Sequence, residues 1–148
     1  MSTGQDLINL AVTRIGEEYV YGSDVDLFDP DWHGPWDCAE FCSWVVKQIT
    51  GNLYGCLESN SSNPDPWTGA WARDVKDKVV ISIPVVQAAK TLGAILLRYR
   101  QGGHHIVFTT GDGDTVEAKD TLYGVCRGGV GNLANWDFGI LIPGVKYG

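Results

Sequence analysis

Cys38 opens the segment Asp37-Cys38-Ala39-Glu40-Phe41-Cys42-Ser43-Trp44, and two adjacent histidines, His104 and His105, follow Gly102-Gly103 far downstream. A thiol and an imidazole are the parts of a nucleophile and its base, provided a third polar group holds the imidazole in one tautomer. Glu117 and Asp120 are the candidates for that third group. Side chains alternate along a strand, so His105, Val107 and Thr109 share one face. A three-residue hairpin loop sets Glu117 opposite Val107 or Thr109, on the His105 face. A two- or four-residue loop centred on Asp112-Gly113 instead sets Asp120 opposite His105. Register selects between them.

A helix and a sheet must hold these groups. Asp37 is a good N-cap, and Glu40 stands three residues on, the spacing of a capping box. Apolar residues recur at Cys38, Cys42, Val45 and Ile49, with Phe41 and Val46 beside them and Gly51 closing the run. That is one buried face of a helix of about three turns. Cys38 takes its first position, where unpaired N–H groups and the positive end of the dipole favour a thiolate. Such a cysteine is expected to ionise below the free value of ~8.5.

Ahead of it, residues 3–15 read as an amphipathic helix ended by Gly16, and Tyr19-Val20-Tyr21-Gly22 as a short extended segment. Residues 23–35 form a loop bearing Asp24, Asp26, Asp29 and Asp31. Residues 53–66 read as an irregular surface loop. Asp65-Pro66 has the form of an N-cap and first position, opening a short helix through Trp67, Ala70, Trp71 and Val75. A further short helix is expected over 82–92. From Gly93 the period changes, and 94–99, 105–110, 115–118 and 138–142 read as strands, with Gly111-Asp112-Gly113-Asp114 as a hairpin. Helices first and an antiparallel sheet second give an α+β class.

The 148 residues suffice for one core, and with no repeat or linker the chain reads as a single domain over 1–148. A net charge of −7 without clustered Lys or Arg excludes a nucleic-acid partner. Four cysteines without a C-x-x-C fit neither a disulfide scaffold nor a zinc ribbon, and a Cys56–Cys126 bridge has no sequence support. No stretch approaches the ~20 apolar residues of a membrane span. The start lacks a charged segment and a long apolar core, so synthesis in the cytoplasm without a signal peptide is expected. Asp24 to Asp31 fails the EF-hand spacing, because Phe28 falls where an oxygen is needed. Adjacent strand residues face opposite ways, which disfavours zinc on Cys38, Cys42, His104 and His105. No metal or cofactor is expected, and the chain is expected to be a monomer. Trp32, Trp36 and Trp67 are the surface candidates for stacking on sugar rings.

The order opening helix, Tyr19-x-Tyr21-Gly22, then Asp37-Cys38-x-x-Phe41 resembles the NlpC-type cysteine peptidases of the papain-like superfamily. The family's second motif is similar to His105-x-x-Phe108-x-x-Gly111-x-Gly113, with a third polar residue just before an alanine, here Glu117 before Ala118. The resemblance runs from Leu7 to Ala118. The ending Phe138-Gly139-Ile140-Leu141-Ile142-Pro143-Gly144-Val145 resembles the last strand of phage lysin catalytic domains. It implies a reduced papain-like fold, with Cys38 as nucleophile, His105 as base and Glu117 orienting the imidazole. Tyr19 and Asp37 would shape the substrate site, and His104 would contact substrate at its rim. The implied activity is cleavage of amide bonds in peptidoglycan stem peptides at the cell wall, by a phage lysin or an exported effector. An N-acetylmuramoyl-L-alanine amidase, an acyltransferase and a silent domain binding wall fragments are the competing readings. This chain departs from the family in two places: Ala39-Glu40 stands where Ser-Gly is common, and Glu where His, Asn or Gln is more usual.

Overall fold

The computed structural model describes residues 1–57, 64–100 and 103–148. Much of the irregular loop expected over 53–66, and Gly102, lie outside the described residues. Helix α1 spans Gly4–Val12, and Thr3 and Asp6 close a capping box at its start. Helix α2 spans Cys38–Thr50. The Asp37 carboxylate accepts from the Glu40 N–H at 2.9 Å, but Glu40 returns no side-chain bond, so only half of the expected capping box forms. At the far end Gly51 sits in the left-handed region at φ 79 and donates to the Lys47 carbonyl at 2.8 Å.

Helix α3 runs Thr68–Lys76 and starts later than Asp65-Pro66 suggests. Leu57 donates to the Asp65 carbonyl and Trp67 to that of Gly55, so residues 65–67 are held extended by pairing with residues 55–57 and cannot begin a helix. The helix expected over 82–92 is replaced by strand β1 (Ile81–Ile83) and a single turn, α4 (Val85–Ala88). Pro84 explains the break: it forces Ile83 out of the helical region, and only one turn fits before Gly93 turns the chain.

The sheet then follows: β2 (Ile95–Arg98), β3 (His105–Thr109), β4 (Asp114–Asp120), β5 (Gly124–Gly129) and, after a 3₁₀ turn at Leu133–Asn135, β6 (Phe138–Leu141). Its six strands lie in the order β1-β6-β2-β3-β4-β5, every neighbour antiparallel. Strand β5 has no counterpart in the sequence reading, because Gly124, Gly128 and Gly129 leave it no apolar alternation.

Helices α1 and α2 cover one face, where Phe41 packs edge-on to Trp36 and Phe108 among fully buried Trp44, Ile106, Val116 and Ala118. On the other face Leu96, Val107 and Ala94 pack with Ala88 and Trp136. Trp36, expected at the surface, is fully buried, and its indole N–H donates to Glu17 at 2.8 Å. Trp67 is exposed, and Trp32 is half-buried. The two chain ends meet: Gly4 donates to the Lys146 carbonyl and Lys146 to that of Ser2. Among the described residues no helix is long and apolar enough to cross a membrane.

Candidate active site

Strand pairing creates the opening in which the thiol lies. Thr109 exchanges both backbone bonds with the β2 side, through Ala94 and Gly93. Ladder alternation therefore turns the N–H of Ile106 towards β4. Strand β4, however, pairs with β3 only at Phe108↔Val116 and Thr109↔Thr115 before it diverges. The Ile106 N–H is left free of β4, and together with the N–H groups of Ala39 and Cys38 itself it favours the charged form of the Cys38 sulfur. The first residue of α2 thus meets the first residues of β3, and Ile106 directly follows His105.

Those N–H groups do not make a resting thiolate. Burial, with the Asp37 carboxylate beside it, pushes the Cys38 thiol up to about 12. The helix terminus predicts the opposite direction, but its dipole is outweighed when sulfur is taken out of water next to an acid. All four cysteines are free thiols, and Cys42 is wholly buried.

His105 and Glu117 form the second element of the site. The imidazole Nε2 lies 2.9 Å from Glu117 Oε1, and both side chains are largely buried. The Thr115 hydroxyl donates to the other carboxylate oxygen. Burial raises the Glu117 pKa, but the bonds from His105 and Thr115 outweigh it, and the carboxyl titrates below its ordinary range. The register thus favours Glu117 over Asp120, whose carboxylate instead accepts from the Tyr123 N–H at 2.9 Å. Gly128 on β5 makes room: a Cβ there would stand 2.8 Å from Glu117 Oε2 and 2.9 Å from the Thr115 hydroxyl. Trp136 covers the pair from above, its ring centroid 6.3 Å from that of His105. Neither Gly128 nor Trp136 carries a sequence signal.

Two cavities flank these groups. The first, about 400 Å³, is lined by Cys38, Tyr19, Asp37, Glu40, Trp67 and His104 among others. The second, about 430 Å³, is lined by His105 and Glu117, and His104 borders both. His104 stacks on Tyr99 at 4.8 Å, so it forms the ridge between them. The first cavity is acidic. Burial pushes Asp37 up to about 6 and Glu40 up to about 9, and one Glu40 oxygen is buried without a hydrogen bond. Burial and the neighbouring Cys38 and Asp37 push Tyr19 up to about 12, so its hydroxyl keeps its proton at neutral pH. In the aspartate loop, Asp26 and Asp29 accept from the N–H groups of Phe28 and Asp31. Among the described residues no group of three or more His, Cys, Asp or Glu side chains is placed to hold a metal.

No family model matches the sequence, and no curated protein is similar to it. Solved structures are similar. The NlpC/p60 domain of the peptidoglycan hydrolase SagA aligns at a TM-score of 0.68 and 26% identity, over 95% of this chain and 99% of that domain. The peptidoglycan hydrolase RipB of Mycobacterium tuberculosis aligns at a TM-score of 0.68 and 18% identity, over 94% of this chain and 64% of that one. An NlpC/p60 family protein of Bacillus cereus aligns at 0.67 and 16%, over 95% of this chain and 40% of that one. The helices and the six-stranded antiparallel sheet accordingly have the fold of the NlpC/p60 domains, a reduced papain-like arrangement.

Proposed function

We propose that the chain is a peptidoglycan hydrolase that cuts amide bonds in stem peptides through a Cys38–His105–Glu117 triad. The observation that carries the reading is the 2.9 Å contact between His105 and Glu117 on the strand that packs against α2, the helix that Cys38 opens. With Nε2 engaged by the carboxylate, Nδ1 is the nitrogen left to serve the thiol. Because the resting thiol is neutral, proton transfer to His105 accompanies attack instead of preceding it. The sulfur forms a bond to the carbonyl carbon, and the backbone N–H groups at the start of α2 and of Ile106 stabilise the oxyanion. Collapse breaks the C–N bond, and the leaving amine takes the proton from His105. Water then attacks the thioester, giving a carboxylic acid and the restored thiol. A lysin's catalytic part or an exported effector fits the ending at residues 138–145.

His104 lines the Cys38 cavity and is the competing base. It stacks on Tyr99 and, among the described residues, has no orienting carboxylate comparable to Glu117. Digestion of purified sacculi, with the new termini identified by mass spectrometry, tests the scheme. Wild type is expected to release stem-peptide fragments, Cys38→Ala and His105→Ala none, and His104→Ala the same fragments more slowly. Activity that survives Cys38→Ala refutes thiol catalysis. Loss in His104→Ala with retention in His105→Ala exchanges the two histidines. New termini at the sugar–peptide junction would make the chain an amidase.

A further inference from the structure

The cavity on the far side of His105 has no part in the steps above. We propose that it is the leaving-group subsite and that Arg98 and Lys119 bind there a free carboxylate on the amino acid or short peptide released, an inference that rests on the Cys38–His105 reading. The acyl half of the substrate stays on sulfur, so the cavity of Cys38 holds that half. The departing amine must receive its proton from the imidazole, so it lies where His105 opens, and His105 opens on the second cavity.

The charges there suit an anion. Arg98 is paired directly with His105 across β2 and β3, so both project from the same face. Its guanidinium lies over Trp136, 5.0 Å from the ring centroid, which fixes the plane of the fork. Among the described residues it has no ion-pair partner, and its Nε is buried without a hydrogen bond. A half-buried guanidinium with an unsatisfied Nε beside a cavity is satisfied best by a carboxylate, which it meets with two parallel bonds. Lys119 lines the same cavity, held over Tyr123 at 4.8 Å and also without an ion-pair partner among the described residues. The two acids on this side are already engaged: Glu117 by His105 and Thr115, Asp120 by the Tyr123 N–H. The Cys38 cavity has the opposite character, with Asp37, Glu40 and Asp65 on its lining and neither Lys nor Arg. The cleft therefore passes from a side without cations to one where Arg98 and Lys119 balance Glu117 and Asp120 across the His104 ridge.

The test uses the full chain and pairs of stem-peptide fragments identical on the acyl side, whose leaving residue ends either as a free acid or as a carboxamide. Wild type is expected to favour the acid by about tenfold or more in kcat/KM. In Arg98→Gln the ratio is expected to fall close to one. A variant that merely displaces His105 slows both substrates and leaves the ratio intact, which overturns the proposal, as does a wild type indifferent to the carboxylate while still cleaving. Lys119→Gln, a surface change, is expected to lower the ratio as well and decides the matter if Arg98→Gln does not fold. If wild type cleaves neither fragment, nuclear magnetic resonance titration of Cys38→Ala with the released amino acid and its amide separates the two ideas. Acid-selective shifts at His105 that vanish with Arg98→Gln keep the subsite and sink the hydrolase. Absence of selectivity sinks the subsite too.

Discussion

Glu117 is held on three sides: by His105 Nε2, by the Thr115 hydroxyl and by the absence of a side chain at Gly128. Its function should therefore be sensitive to a methyl group on a neighbouring strand. Gly128→Ala is expected to push the carboxylate off the imidazole and lower kcat by about tenfold or more, with KM little changed and thermal stability nearly intact. A kcat equal to wild type in that variant would show that the His105–Glu117 bond is dispensable. At this scale the sequence was informative about chemistry and silent about support. Residue types and alternation narrowed the partner of His105 to Glu117 or Asp120, with register left to choose, and placed Cys38 at a helix start. The covering role of Trp136 and the clearance at Gly128 depend on β5 lying beside β4, a pairing with no local signal. The direction of the Cys38 pKa was misread for a related reason: a sequence reveals the dipole of a helix but not how deeply its first residue is buried.

Among the elements, α2 was readable to the residue because both its ends are written locally, in Asp37 and Gly51. The left-handed Gly51 closes the helix, so Gly51→Ala is expected to cost roughly 1 kcal/mol. The check is a lower urea midpoint with an unchanged slope, while cleavage of stem peptides at saturating substrate stays at the wild-type rate. No loss of stability would mean that the helix end relaxes without the cap. Strand β1 and the turn α4 were not readable as such, because the run after Ile81 has enough apolar residues for a helix and only Pro84 argues against it. The late start of α3 was hidden for a different reason. The capping signal at Asp65-Pro66 is real, but pairing with Gly55 and Leu57 overrides it from a distance.

For the molecule as a whole, the acidic cavity makes stability fall as pH rises. Glu40 keeps its proton in the folded state up to about 9, against an ordinary value of 4.5. The unfolded chain releases that proton earlier, so the stability present below the ordinary value is lost progressively between the two. Asp37, raised from 3.8 to about 6, adds a smaller loss of the same sign at lower pH. Glu117 acts oppositely: its lowered pKa gives stability that is forfeited only as acid protonates it. Glu40→Gln removes the largest contribution. It is expected to flatten the pH dependence of the melting temperature between about 5 and 9 and to raise stability at pH 8 by roughly a few kcal/mol. An unchanged slope would mean that Glu40 is ionised in the folded protein. Packing at this scale also joins the opening strand-like residues Ser2 and Thr3 to Lys146. The polypeptide is thereby a nearly closed ring, and any module fused before or after it would leave from a single corner. Two such passengers would travel side by side, with this domain hanging from them like a bead on one loop of thread.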